Sequence, residues 1–498
     1  MHSKTEEEVG IAGEAANHSG SKVLWCLLWG VLGLLSVVST AVVLTGSARW
    51  IAFSGRYSLL LGCMLGAVAA VQLARGVPFL SRKERVLAGV VLALFGSSQL
   101  DRGLMLGRVA PARYDFSAFY VAGRLAAESP PGRVYYQAVY PDGRISTVGA
   151  KEGWTEVTRH YGVSQALTFV YPPFFAIMLK PFGYFSYGAA FGLWSLFTVV
   201  LTLAAVWICM DLGGRRIDVK LGLILSVGLF SFAPFLQELV LGQVASLILF
   251  MGALGIWLLS RGLHWSSAFC FAVATMIKIT PAVAVPLLIL HRKWKWLWAY
   301  ACWMAVLTGY SIWQMGWGAH YEFLHEVMPS VSCGITWFVN LSLTNYVQEI
   351  CLGYAPMTLS QSTLPPLVCA ISKAVSLAVL CGSLIRFYIY RSNENLVLHL
   401  ALIMLLTLPI SPITWGHHYV IALLPFLYLW CRLGESSGDY LLLAMVLVVG
   451  TTLFAFVLPV IFSHASLVLG AIVPCLTVAF VYVEGSGRAL VTGNREAA

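Results

Sequence analysis

Long apolar runs separated by short polar turns dominate this chain. The first run covers 23–45, and others lie near 58–74, 86–106, 186–209, 219–236, 243–260, 266–277, 281–291, 294–315, 367–390, 396–411, 418–432, 440–461 and 466–483, about 14 in all. A simple helical span needs about 20 apolar residues to cross a hydrocarbon core roughly 30 Å thick. Several runs fall short of that, and 266–277 and 281–291 are expected to pair as a short hairpin. Two long hydrophilic stretches, 107–185 and 316–365, interrupt the pattern. Within the first, residues 116–127 put Phe116, Phe119, Tyr120 and Gly123 on one helical face. That arrangement predicts an amphipathic helix lying along the membrane surface. The fold class expected is an all-α polytopic membrane protein with about 12–14 transmembrane or re-entrant helices. Tails at 1–22 and 485–498 would flank a single membrane domain over 23–484.

Composition agrees with this pattern. Charged residues make up only 11% of the 498 positions, hydrophobic residues 59%, and the mean hydropathy is +0.80. Soluble domains carry about 25% charge, so a soluble, disordered or fibrous chain is excluded. The formal charge of +9 does not call for nucleic acid. With the N-terminus inside, 18 of the 31 Lys and Arg fall in tails and turns that become cytoplasmic, as the positive-inside rule requires. Both hydrophilic stretches then face outward. Residues 1–22 carry Glu6, Glu7 and Glu8 and do not form a secretory n-region, so 23–45 reads as a retained span. The 11 Cys form no Cys-x-x-Cys pair, which argues against zinc or iron–sulfur sites. Cys333 and Cys351 share an outer stretch and could pair on an oxidising face.

Sites must therefore be sought among the few ionisable groups near the outer ends of the apolar runs. Asp115 follows the third run and opens the amphipathic stretch. It suits a helix N-cap or a general base at the membrane edge. Lys278 follows an apolar run too short to cross, and Pro281 stops the helix from continuing. A lysine at that depth costs about 2.5–3.5 kcal/mol on insertion scales, so it should face a buried acid or bind an anion. His417 and His418 lie between two apolar runs with no Asp or Glu nearby. Interfacial hydrogen bonding or contact with a phosphate or sugar suits them better than a metal. Gly242-Gln243, Tyr171-Pro172-Pro173 and Asn340-Leu341-Ser342-Leu343 form further polar islands. No Walker loop, dinucleotide fingerprint, His-Glu-x-x-His or Gly-x-Ser-x-Gly elbow occurs.

Taken in order, these islands resemble the polyprenol-phosphate-mannose-dependent glycosyltransferases of family 87, in the GT-C superfamily. The resemblance runs through Asp115, Tyr120-Val121-Ala122-Gly123, Tyr135-Tyr136, Tyr171-Pro172-Pro173 and Gly242-Gln243. It continues with Lys278-x-x-Pro281 followed by a basic-aromatic turn, Asn340-x-Ser342-Leu343, and Ser411-Pro412-x-x-Trp415-x-His417-His418. Leu341, Val244 and Thr414 depart from the family's usual residues. The resemblance implies a GT-C fold and a hexosyltransferase, mannosyltransferase-like, that takes its sugar from a polyprenyl phosphate in the outer leaflet. It would pass that sugar, with inversion, to a glycan or glycolipid hydroxyl. Asp115 would be the base, while Tyr120, Gln243, Lys278, Asn340, Trp415, His417 and His418 would bind substrate, with no metal, nucleotide or other cofactor. A transporter or lipid flippase would instead show paired inverted repeats. An O-antigen-ligase-like enzyme would use a lipid pyrophosphate donor.

Overall fold

A computed structural model describes residues 84, 87, 88 and 91, then 114–139, 145–150, 153–163, 166–332, 334, 340–352, 365–432 and a few positions between 475 and 482. The apolar runs at 23–45, 58–74 and 440–461, and the Cys333–Cys351 pairing, lie outside the described residues. By internal packing the chain divides into two compact units, 1–111 with 216–236, and 112–215 with 237–498.

In chain order the helices are α1 (Tyr114–Ala127), α2 (Trp154–His160), α3 (Pro173–Gly183), α4 (Tyr187–Leu212), α5 (Val219–Ser231), α6 (Ala233–Leu241) and α7 (Ala245–Ser260). There follow α8 (His264–Ile277), a 3-10 turn at Thr280–Val283, α9 (Ala284–Leu290), α10 (Trp294–Glu322) and, after a π-helical turn, α11 (Met328–Ser332). The series ends with α12 (Leu343–Leu352), α13 (Pro366–Ile389), α14 (Leu396–Ile410), a 3-10 stretch at Gly416–Ala422 and α15 (Leu423–Arg432). Strands β1 (Gln137–Val139) and β2 (Ile145–Ala150) pair antiparallel between α1 and α2. Apart from this one hairpin the regular structure of the described residues is helical, in keeping with the all-α class. The hairpin falls in the hydrophilic stretch, where no apolar run dictates helix.

Among the described residues, two helices are long and apolar enough to cross a membrane, α4 and α13. Most of their exposed positions are apolar, including Leu196, Val200 and Trp207 on α4 and Leu377 and Ile385 on α13, as expected of faces that meet lipid. The shorter apolar helices α7, α8 and α14 match the runs read from the sequence. Helix α8 has 14 residues, so it rises only about 21 Å, less than the hydrocarbon core. Lys278 follows it in an extended conformation (φ −147°, ψ 126°). The chain then turns through Thr280–Val283 into α9, and α8 packs chiefly on α7 and α10 rather than against α9 as the expected hairpin would. Gly316, with φ 77°, breaks α10 one residue beyond the run 294–315.

In the first unit, Asp218 caps α5 by accepting the Leu221 N–H at 2.7 Å, and Lys220 pairs with Glu84 at 3.0 Å. The second unit carries the candidate site. Its aromatic core joins α1, α3 and α4, with the Phe119 ring 5.0 Å from Phe175 and 6.0 Å from Trp194. Residues 116–123 of α1 are all buried, so α1 has no continuous wet face. It is packed inside the second unit rather than laid on a membrane surface. Small residues allow this: a Cβ on Gly123 would come within 2.6 Å of the Leu179 carbonyl oxygen.

Candidate active site

The turn between α6 and α7 brings the first group of polar residues together. Gly242 has φ +69°, and a Cβ there would meet the Phe116 Cβ at 2.5 Å. Only glycine combines that backbone conformation with that close approach. Trp194 Nε1–H donates to the Gln243 carbonyl oxygen at 3.2 Å, which holds the turn against α4.

The Gln243 side chain reaches the first turn of α1 and hydrogen-bonds Asp115. Its Oε1 accepts the Tyr171 hydroxyl proton at 3.1 Å, which leaves its NH₂ group to serve the carboxylate. Asp115 is half-buried. Burial raises its carboxyl to about 6, and the Gln243 hydrogen bond acts in the opposite direction. Tyr171 is also raised, chiefly by burial and then by the charge of Asp115. Tyr135, from the Tyr-Tyr island, donates its hydroxyl to the Tyr171 carbonyl at 2.7 Å and so braces the same segment.

A second group lies past the start of α7. Lys278 Nζ and His418 Nε2 are 3.0 Å apart. They line a small cavity with Ala245, Thr280, Thr414 and Ser411. Trp415 N–H donates to His418 Nδ1 at 3.1 Å. With Nδ1 accepting, a neutral ring carries its proton on Nε2, the nitrogen that faces Lys278. At 3.0 Å the two nitrogens are themselves hydrogen-bonded, so an anionic oxygen would have to displace that contact before accepting from the Nε2–H and from an ammonium. Ala245 is two residues beyond Gln243, about 7 Å of chain. Gln243, which reaches the carboxylate, and Ala245, which lines the cavity of the cation, thus lie two residues apart in the chain.

The sequence reading missed Glu238. Its Oε1 accepts the Ser246 N–H at 2.5 Å and its Oε2 accepts the Ser246 hydroxyl at 3.0 Å. Fully buried, it acts electrostatically on Lys278. The signal was available, since an acid between apolar runs is a functional candidate by default. Its position among the turn residues between 219–236 and 243–260 concealed it.

The other expected contacts divide. Asn340 Oδ1 accepts the Thr414 N–H at 2.9 Å, and its Nδ2 donates to the Pro412 carbonyl at 3.2 Å. Leu341 N–H donates to the Thr414 carbonyl at 2.6 Å. Asn340 thus clamps the segment that leads to the histidines. Tyr120 donates to the Phe185 carbonyl at 2.9 Å, and its ring lies tilted to Phe116 and edge-to-face with Tyr187. Its hydroxyl is likewise engaged by the scaffold. Asp115 stands within the first turn of α1, not at the capping position before it. Both ring nitrogens of His417 are buried without a partner among the described residues, and its ring lies edge-on to His418 at 4.4 Å. Trp415 is partly exposed beside them. Among the described residues, no three His, Cys, Asp or Glu converge as a metal site.

Residues 169–412 match the model of Glycosyltransferase family 87. The match contains Tyr171, Glu238, Gln243, Lys278 and Asn340, whereas Asp115 precedes it and Trp415, His417 and His418 follow it. The chain is similar to a polyprenol-phosphate-mannose-dependent alpha-(1-2)-phosphatidylinositol pentamannoside mannosyltransferase of Mycobacterium tuberculosis (strain CDC 1551 / Oshkosh). The two are 26% identical over 260 residues, 51% of this chain and 56% of the relative. It is also similar to a polyprenol-phosphate-mannose-dependent alpha-(1-2)-phosphatidylinositol mannoside mannosyltransferase of Mycolicibacterium smegmatis (strain ATCC 700084 / mc(2)155). That pair is 24% identical over 336 residues, 64% of this chain and 69% of the relative. The chain thus spans little more than half the length of the first of these relatives.

Proposed function

We propose that this chain, whose residues 169–412 match glycosyltransferase family 87, is a member of that family and a multi-pass GT-C enzyme that transfers a hexosyl group, mannose first, from a polyprenyl phosphate. The acceptor is a hydroxyl of a lipid-anchored glycan, of the phosphatidylinositol mannoside kind named for the relatives, at the extracytoplasmic edge of the membrane. The observation that supports this reading is that a half-buried carboxylate, Asp115 on Gln243, and a cation with an imidazole, Lys278 and His418, are each held by residues at the start of α7.

In this reading the acceptor hydroxyl gives its proton to Asp115 as its oxygen attacks the anomeric carbon. The bond from that carbon to the phosphate oxygen breaks, and polyprenyl phosphate departs. Attack opposite the leaving group inverts the anomeric centre. Lys278 and the Nε2–H of His418 offset the charge growing on the departing phosphate, an electrostatic role of the oxyanion-hole type. Phosphate is a good leaving group, so one base suffices. Asp115 is held above the usual carboxylate range, where it is a better proton acceptor near neutral pH.

The test is transfer from radiolabelled polyprenyl-phosphate-mannose to a phosphatidylinositol mannoside by the purified full chain, wild type against Asp115→Asn. The expected outcome is a loss of about 10²–10⁴ in kcat, with the thermal midpoint retained. Full activity in the variant would remove Asp115 as the base. Labelled lipid moved across vesicles without sugar transfer would favour a flippase.

A further inference from the structure

Helices α2, α4, α7 and α9 end in the same way. The residue after the cap turns left-handed, and two successive N–H groups fold back onto the last turn. For α2, α4 and α7 that residue is Gly162 (φ 75°), Gly214 (φ 76°) and Gly262 (φ 77°), the type that takes this conformation without a steric penalty. For α9 it is Arg292, with φ 54°, the one non-glycine with positive φ among the described residues. The Arg292 N–H donates to the Ile289 carbonyl at 2.9 Å, and the Lys293 N–H to the Leu288 carbonyl at 3.0 Å. The closure is thus as complete as in the glycine cases, and the backbone cost of a side chain is borne in full. Such a residue points to a use for the side chain rather than to folding. The positive-inside rule does not ask for it, because a basic residue beside the turn would satisfy that rule equally well.

The neighbours of Arg292 indicate what its charge can meet. Lys293 Nζ donates to Asn393 Oδ1 at 3.2 Å, and Arg391 Nη1 donates to the Leu290 carbonyl at 3.3 Å. These bonds draw the turns 291–295 and 390–395 together, at the end of α9 away from Lys278. Arg292, Lys295 and Arg391 are exposed, as is the one acid on these turns, Glu394. Among the described residues, none of these cations forms an ion pair with an Asp or Glu. Arg261, at the end of α7, is by contrast neutralised by Asp211 at 2.8 Å. Next to the cations in the chain, Trp294, Trp298 and Ile389 are largely exposed. Unneutralised cations beside exposed tryptophan and aliphatic side chains suit a ligand with an anionic head and hydrocarbon tails. Arginine forks match phosphate oxygens in particular.

We propose that Arg292, Lys293, Lys295 and Arg391 form a binding site for the phosphate headgroup of an anionic membrane phospholipid. This site is separate from Lys278 and His418, and it does not depend on the transfer reading.

The experiment is native mass spectrometry of the full chain released from zwitterionic micelles, titrated with phosphatidylglycerol or phosphatidylcholine. Wild type should bind phosphatidylglycerol tighter by about tenfold or more, since each cation near the headgroup contributes about fivefold. Arg292→Gly should weaken phosphatidylglycerol by about fivefold and leave phosphatidylcholine unchanged. Its thermal midpoint without anionic lipid should stay at or above that of wild type, because glycine relieves the turn. Adding Arg391→Gln should weaken phosphatidylglycerol by about fivefold more. Arg216→Gln, an exposed cation on another turn, should leave both lipids at wild-type affinity. Equal affinity of wild type for the two lipids would overturn the proposal even if no variant folded. So would unchanged phosphatidylglycerol binding in a folded Arg292→Gly, an equal loss in Arg216→Gln, or a lowered midpoint of Arg292→Gly without anionic lipid. Excess glycerol 3-phosphate should not displace the lipid; displacement would mean a site for free phosphate and would overturn the choice of a phospholipid. Mannosyl transfer is read separately, and its absence would refute the enzyme reading while leaving lipid binding in place.

Discussion

Replacing Gln243 with leucine isolates what sets the proton affinity of Asp115. Two effects act on this carboxylate. Burial raises it to about 6, and the Gln243 hydrogen bond holds it below where burial alone would put it. Leucine keeps most of the volume and the burial but offers no donor. A hydrogen bond to a charged group contributes about 1.5–3 kcal/mol, and about 1.4 kcal/mol corresponds to one pH unit. Its loss therefore moves the carboxyl alkaline by roughly 1–2 pH units. The sign follows from the mechanism: only the carboxylate accepts the hydroxyl proton, so activity falls as pH drops through its titration. The expected acid limb of kcat/KM, which reports the free enzyme, is half lost near pH 6 in wild type and near about pH 7–8 in Gln243→Leu. The assay is mannosyl transfer at subsaturating donor, from pH 5 to 9. Tyr171→Phe is the control, because it takes a hydroxyl from Gln243 Oε1 while the amide stays on Asp115, and its limb should remain close to wild type. Coincident limbs for wild type and Gln243→Leu would refute the assignment of Asp115 as the group that titrates.

Two further outcomes concern the scaffold under the site. Gly242→Ala must hold φ +69° and place a Cβ 2.5 Å from that of Phe116, so a loss of about 2–4 kcal/mol is expected. It would be read as a lowered thermal midpoint, with transfer falling in parallel. Asn340→Ala leaves the buried Thr414 N–H without its side-chain acceptor, at a cost of about 1–3 kcal/mol. Loosening of the segment that carries His418 should raise donor KM more than it lowers kcat, and wild-type kinetics would contradict the clamp.

Much of the helical framework was legible because the membrane imposes a strong rule. Runs of apolar residues must close their backbone hydrogen bonds within one segment, so 186–209 and 367–390 announce α4 and α13. The break at Lys278 was legible from a run too short to cross, followed by Pro281. The hairpin at 137–150 was not, because outside the apolar runs neither strand carries a pattern strong enough to exclude helix or loop. Nor was the burial of α1. Its apolar face was visible, but the approach of Leu179 over Gly123 and of Gly242 over Phe116 involves residues far apart in the chain.

Residue type marked the candidate positions, and hydrogen-bond closure sorts them by role. Tyr120, Asn340 and Tyr135 are polar groups whose bonds end on backbone carbonyls or amides, so their loss is felt first as altered geometry. Lys278 and His418 are hydrogen-bonded to each other at 3.0 Å, a contact between two groups with mobile protons that an incoming anion would exchange for its own. Asp115 has one donor from Gln243 and carboxylate capacity left for an acceptor hydroxyl. Glu238 resembles the first class by its bonds to Ser246 and the second by its charge, and a search restricted to one kind of signal passes over it. Its two oxygens are taken up by Ser246 at the start of α7, so a search for unengaged polar groups alone does not find it.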